Sequence, residues 1–259
     1  MGLRATLGDK KSADTGGVKA SYGLDAPFWP LFLGLISAFY IVFGIVTHSP
    51  WPIVGAALIL ACAMFGLHAS LRGKFVVWEE LLDGLALRGD EQLLDIGCGR
   101  GAVLLAVAKR LPHGKAVGID IWRKADQSGN SIEATRRNAL AEGVADRIEL
   151  HTADMTSLPF EDASFDLVVS SLAIHNVKGK ENRRKAVAEA VRVLRPDGRL
   201  LIADIWSTAL YCAELEAIGM RDVTRRRLGW RMSWSGPFLG TRAVSAVKPS
   251  AQADAPSSR

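Results

Sequence analysis

The sequence predicts an α/β domain built on a mostly parallel sheet, preceded by a helical hairpin long enough to cross a membrane twice. Three observations carry that expectation. Ala26 to Leu71 is a run of 46 residues without Asp, Glu, Lys or Arg. From Gln92 onward, short apolar runs alternate with helical stretches, the pattern of parallel βαβ units. Near the C-terminus two strand-like segments are joined by a short connection, which makes one edge of the sheet antiparallel.

Composition sets the frame. The 259 residues are 49% hydrophobic and 23% charged, which excludes disordered and collagen-like chains. Cys62, Cys98 and Cys212 are too few and too scattered for a disulfide framework or a zinc site, so no metal is expected and a reducing compartment is the simplest setting. The net charge of +5 is mild. No basic groove interleaved with aromatics is present, so nucleic acid is not expected as a partner.

Met1 to Asp25 is polar and reads as a flexible cytoplasmic tail. Residues 26–71 read as two transmembrane helices. Phe28 to Thr47 has the length of one span, the prolines at 50 and 52 interrupt it, and Trp51 to about Leu71 crosses back. Trp29 and Trp51 fall at span ends, where aromatic rings favour the interface. Gly34, Ala38, Gly55, Ala56, Ala57, Ala61 and Ala63 are small enough for close helix packing. Arg4, Lys10, Lys11 and Lys19 precede the hairpin, Arg72 and Lys74 follow it, and the turn carries no cation. A multi-pass protein of the cell membrane is therefore expected, with both termini and the folded domain cytoplasmic.

Residues 72–249 read as that domain. Lys74–Leu87 has helical apolar spacing. Strands are expected at Gln92–Ile96, Ala116–Ile119, Ile148–Thr152, Leu167–Ser170 and Arg199–Ala203. Helices are expected at Ala102–Leu111, Ser131–Glu142 and Glu181–Leu194, the last closed by a turn at Pro196-Asp197-Gly198. A further helix, Ala209–Ile218, precedes the antiparallel pair Asp222–Trp234 and Thr241–Val247. Residues 250–259, rich in Pro, Ser and Ala, read as disordered.

The chemistry concentrates at strand ends. Asp95-Ile96-Gly97-Cys98-Gly99-Arg100-Gly101 ends one strand and opens a helix, where glycines permit a tight turn and the helix start offers free N–H groups. Gly118-Ile119-Asp120 ends the next strand, and a carboxylate there can accept from both hydroxyls of a ribose. Ala153-Asp154-Met155 follows the third strand. Phe165 to Ser171 and Leu194 to Leu200 complete an ordered set of five motifs.

In these five motifs the chain resembles the class I S-adenosylmethionine-dependent methyltransferases, in particular the methyltransferase-11 and quinone-biosynthesis type. The resemblance covers about Lys74 to Pro249. It implies a Rossmann-like seven-stranded mixed sheet and S-adenosylmethionine as cofactor. It also implies that Gly97, Cys98, Gly99 and Gly101 line the methionine portion, while Asp95 orders the loop and approaches the amino group. Asp120 would bind the ribose with Ile121 against the adenine. Asp154 would accept from the adenine amino group with Met155 packed nearby, and Ser170 and Ser171 would face the sulfonium.

Ser170-Ser171-Leu172-Ala173-Ile174-His175 is similar to the stretch of quinone- and sterol-type methyltransferases that ends in histidine, making His175 the candidate base. Asp204 and Trp206 are candidate pocket walls. Trp122–Ser128 lengthens the second crossover beyond the family pattern and is placed to cover the cofactor. The basic segment Arg221, Arg225, Arg226, Arg227 and Arg231 reads as a solvated edge strand or a contact for anionic headgroups. The expected activity is methyl transfer to a small or lipid-like acceptor at a membrane. A nicotinamide-dependent oxidoreductase and a non-catalytic cofactor-binding membrane protein are the alternatives. The acceptor atom and the oligomeric state are left open.

Overall fold

The computed structural model describes residues 19–236 and 239–250. The expected tails at 1–18 and 251–259 lie outside these, as do Arg4, Lys10 and Lys11.

The uncharged stretch forms two antiparallel helices, α1 (Phe28–Val46) and α2 (Pro50–His68). Pro50 and Pro52 sit in the first turn of α2, where a missing N–H costs nothing, so they open the second helix as well as ending the first. Both helical segments are long and apolar enough to cross a membrane, and most of their side chains face outward. Ser37, Gly44, Ala56 and Ala63 are buried along the two helices, and Gly44 lies directly against Ile53 of α2. Gly34 and Gly55, expected where the helices pack, face open space instead.

Helix α2 does not stop where the charge returns. A π-helical turn, Ala69–Gly73, carries it without a break into α3 (Lys74–Asp83), giving one helical run from Pro50 to Asp83. The hairpin is thus joined stiffly to the domain. Gly73 seats the junction: a side chain there would overlap the Arg231 carbonyl oxygen.

The domain is a three-layer α/β/α sandwich. Its strands are β1 (Gln92–Ile96), β2 (Lys115–Asp120), β3 (Ile148–Thr152), β4 (Phe165–Ser171), β5 (Leu194–Asp204), β6 (Arg221–Arg227) and β7 (Arg242–Val247). They form one seven-stranded sheet in the order β3-β2-β1-β4-β5-β7-β6. The first five pair in parallel, and β7 runs antiparallel between β5 and β6. Alternation along the strands sorts the core. Leu93, Leu167, Val169 and Leu201 pack on the face covered by α3 and α4 (Ala102–Ala108), with α5 (Ile132–Ala141) contributing Ala139. Leu94, Ile96, Val168, Leu200 and Val244 pack on the opposite face, under α6 (Lys180–Arg192) and α7 (Thr208–Ala217).

Two expectations change at the C-terminal half. Pro196-Asp197-Gly198 lies inside β5 as a bulge, because the register jumps from Phe165↔Leu194 to Leu167↔Arg199. The end of β7 secures it, with Asp197 N–H donating to Lys248 O and Lys248 N–H to Gly198 O. Strand β6 ends at Arg227, and a short 3-10 turn at Trp230–Met232 replaces the expected extension to Trp234.

The supposed tail is also shorter than its composition implies. Ser21 and Asn138 exchange backbone and amide bonds, Tyr22 Oη donates to Glu142, and Leu24 N–H donates to Ser128 Oγ. Residues 21–26 therefore form a strap laid across the domain before α1 begins.

Candidate active site

The carboxyl ends of β1, β2 and β4 converge on a cavity of about 510 Å³, within the range of small-molecule sites. The cavity lies where open α/β sheets bind ligands, outside the strand ends at the point where the strand order reverses. Its floor is the turn after β1. Gly97 N–H and Cys98 N–H both donate to Ile119 O (2.8 and 3.0 Å), which folds the turn back over β2. Gly97 and Gly99 hold φ of +76° and +50°, and a side chain on Gly97 would collide with Ala173.

Asp120 fastens this turn from the next strand. Its Oδ2 accepts Gly99 N–H at 2.8 Å, and its Oδ1 accepts Trp122 N–H at 2.6 Å. Burial pushes its carboxyl above the ordinary carboxylate range. Asp95 is 1% exposed and lines the same cavity, yet neither of its oxygens has a hydrogen-bond partner. Burial first, and the neighbouring Asp120 second, push its pKa up to about 8. An orphaned buried carboxyl facing a cavity is costly unless a donor or cation arrives to meet it.

Ile121, Asp154 and Met155 line the cavity beyond Asp120. Asp154 Oδ1 accepts both Thr156 N–H and Thr156 Oγ–H, leaving Oδ2 free of protein partners. Cys98 lines the floor, with burial holding its thiol well above the usual range, so it has none of the marks of a nucleophile. Ser171 is at the wall, its Oγ accepting from Trp78 Nε1 at 2.9 Å. Four sequence candidates do not reach the cavity wall: Gly101, Ser170, and the expected wall residues Asp204 and Trp206, which instead support His175 from behind and beside. Gly101 caps α4 at φ +87°, and Ser170 is spent inside the sheet, donating to Ile96 O at 2.8 Å.

His175 follows β4 in a short 3-10 turn and lines the other side of the cavity. Its Nδ1 meets Asp204 Oδ1 at 2.5 Å, and its backbone N–H donates to Asp204 Oδ2. Asp204 is wholly buried and also accepts from Ile205 N–H and Tyr211 Oη–H. Every other partner of this carboxylate donates to it, so His175 Nδ1 carries the proton and Nε2 is the acceptor. Trp206 stands edge-on to the imidazole at 5.5 Å.

Several wall residues gave no sequence signal. Asp25, on the strap, accepts from Gln127 Nε2 at 2.9 Å and from Lys74 Nζ at 2.6 Å. Gln127 Oε1 in turn accepts Arg100 N–H at the start of α4. The lengthened crossover 122–128 thus bridges strap and glycine turn. Trp234 completes the wall near Lys74.

Sheet order, glycine turn and paired carboxyls are the arrangement found in class I S-adenosylmethionine-dependent methyltransferase domains, whose cofactor is S-adenosylmethionine. Residues 94–202 match the family described as "Methyltransferase domain". Over 133 residues the chain is 36% identical to the ubiquinone/menaquinone biosynthesis C-methyltransferase UbiE of Dinoroseobacter shibae, covering 51% of this chain and 50% of that protein. The chain spans about half the length of the curated relatives it matches. Among solved structures, the 4+2 cyclase SpnF is similar with a TM-score of 0.55 at 20% identity, over 66% of this chain and 81% of that one. Geranyl diphosphate methyltransferase, solved in complex with S-adenosylmethionine, gives 0.54 at 18% identity, over 67% and 85%. These two likenesses concern the fold.

The residues present fit this cofactor. It is a cation at both its sulfonium and its ammonium, and the cavity offers the unpartnered Asp95 and the elevated Asp120. A dinucleotide would instead bring its pyrophosphate to the glycine turn beside Asp95, which disfavours the nicotinamide alternative, whereas Asp120 would suit a ribose in either case.

Proposed function

We propose that this chain is a membrane-anchored methyltransferase that transfers a methyl group to a small, lipophilic acceptor. One observation carries the reading. A single cavity holds both the glycine turn with its two acids and an imidazole whose Nε2 has no partner among the described residues. The two outward-facing apolar helices, the second continuous with α3, support the anchored setting.

Asp120 would accept the ribose hydroxyls with the lone pairs left over from Gly99 and Trp122. Asp154 Oδ2 would accept the adenine amino group, with Ile121 and Met155 against the ring. Asp95 would take the ammonium group, and its proton would leave as that cation arrives. Bound there, S-adenosylmethionine supplies an electrophilic methyl on sulfur. His175 Nε2 would accept the proton that the acceptor releases on being methylated. Asp204 acts through His175, fixing the tautomer and sharing the charge that develops on the ring.

The test is transfer of labelled methyl from S-adenosylmethionine into a total membrane lipid extract by the full-length protein. Label in an organic-soluble product, absent with Asp120→Ala, is the expected result. Label that enters protein instead contradicts the lipophilic acceptor.

A further inference from the structure

Four residues of the cavity wall come from segments that adjoin the apolar hairpin. Asp25 and Ala26 lie two to three residues before α1, and Lys74 opens α3 one π-turn after α2. Trp234 lies in the loop that follows β6. All four stand at the boundary between the apolar hairpin and the domain.

The loop Gly229–Gly236 runs alongside α2. Gly73 lies against the Arg231 carbonyl, His68 stacks on Trp230 with ring centroids 5.0 Å apart, and Gly66 faces the Trp234 carbonyl. A side chain on Gly236 would stand 3.7 Å from Cys62 Sγ. From Gly73 back to Cys62 is eleven residues of helix, which at 1.5 Å each is about 16 Å. Cys62 lies about 9 Å inside the last α-helical residue of α2, His68. The loop therefore reaches below the level at which the apolar helix ends. Its side chains suit that depth. Trp230 is 63% exposed beside the helix, whereas Met232 and Trp234 turn inward, Trp234 to the cavity wall. No carboxylate occurs between Leu228 and Gly240. Arg231, the one cation there, turns away to a bidentate pair with Glu80 on α3. An amphipathic ring exposed at the end of a span is where tryptophan gains most from a bilayer interface.

We infer that Gly229–Gly236 is an interfacial loop immersed at the bilayer surface, and that with Asp25, Ala26 and Lys74 it forms the membrane-facing lip of the active-site cavity. This rests on the proposed membrane anchor and narrows the acceptor. The acceptor is an amphiphile whose reacting atom rises to headgroup level while its hydrocarbon part stays among the lipid chains beside α2. Trp234 is the side chain that acceptor passes.

A photoreactive benzophenone amino acid placed separately at Trp230, Leu58 and Asp146 of the full chain in phospholipid nanodiscs tests this. Leu58 lies mid-span and is 66% exposed, whereas Asp146 precedes β3 at the opposite edge of the sheet. Mass spectrometry should find phospholipid adducts at positions 230 and 58 and none at 146. Adducts at 58 without any at 230 overturn the immersed loop and leave the anchor standing. No adduct at 58 overturns the anchor itself, and the loop with it. Equal adducts at 146 and 230 also overturn the loop, since the domain then shows no preferred face to the lipid.

Discussion

Asp95 makes the sharpest prediction at the scale of single residues. Its carboxyl titrates near 8 in the folded protein and near 3.9 when unfolded. Between those values the folded state holds the extra proton, so the ligand-free protein loses stability as pH rises from about 4 through 8. Asp95→Asn removes that loss. The variant should melt higher than the parent at pH 8, with the gap narrowing steadily and closing only near pH 4 in thermal scans, and should bind cofactor poorly at every pH. His175→Ala should lower kcat by roughly 10²- to 10⁴-fold, the usual worth of a positioned base, while S-adenosylhomocysteine affinity stays unchanged in calorimetry. Asp204→Asn should do the same with a changed pH profile, because the tautomer is no longer fixed. The acids and glycines of the site were legible because each falls at a fixed place at the end of a strand. The His175–Asp204 pair was half legible: both residues stood out, yet the bond joining them spans 29 positions and has no local mark. Gln127 was marked only as part of the lengthened crossover 122–128, and Asp25, its partner 102 positions away, carried no mark of a site residue.

Among the elements, the strap and the junction decide how the site is closed. Asp25→Ala removes acceptors from Gln127, Lys74 and Ser70. Loss of this support should weaken S-adenosylhomocysteine binding about tenfold, or about 1.4 kcal/mol, and speed its dissociation in stopped-flow traces. Gly73→Val places a branched side chain against the Arg231 backbone. Overpacking of that kind costs about 1–3 kcal/mol, and limited proteolysis should cut between Leu71 and Lys74 faster than in the parent. The alternation of strands and helices was plain in sequence because period 2 and period 3.6 differ over even short windows. The continuity of α2 with α3 was not, since Arg72, Gly73 and Lys74 together look like the end of a helix. Lys74 counted as a topology marker in the sequence, but in the fold it is buried against Asp25. The bulge in β5 was hidden for a similar reason, as Pro-Asp-Gly signals a turn whether or not a neighbouring strand later absorbs it.

At the scale of the whole molecule, a rigid helical run ties an apolar hairpin to a cofactor-binding sheet, and the strap preceding α1 crosses the cofactor turn. Occupancy of the cavity and the seating of the hairpin are therefore mechanically adjacent. In the proposed mechanism S-adenosylmethionine lodges between Asp95 and Asp120. Isothermal titration of S-adenosylhomocysteine into the full-length chain in nanodiscs tests this most directly. One binding event per chain, lost in Asp120→Ala with the fold intact by circular dichroism, is the predicted result. A flat titration of the parent protein, with neither this nucleoside nor its methylated form producing heat at several temperatures, would contradict it.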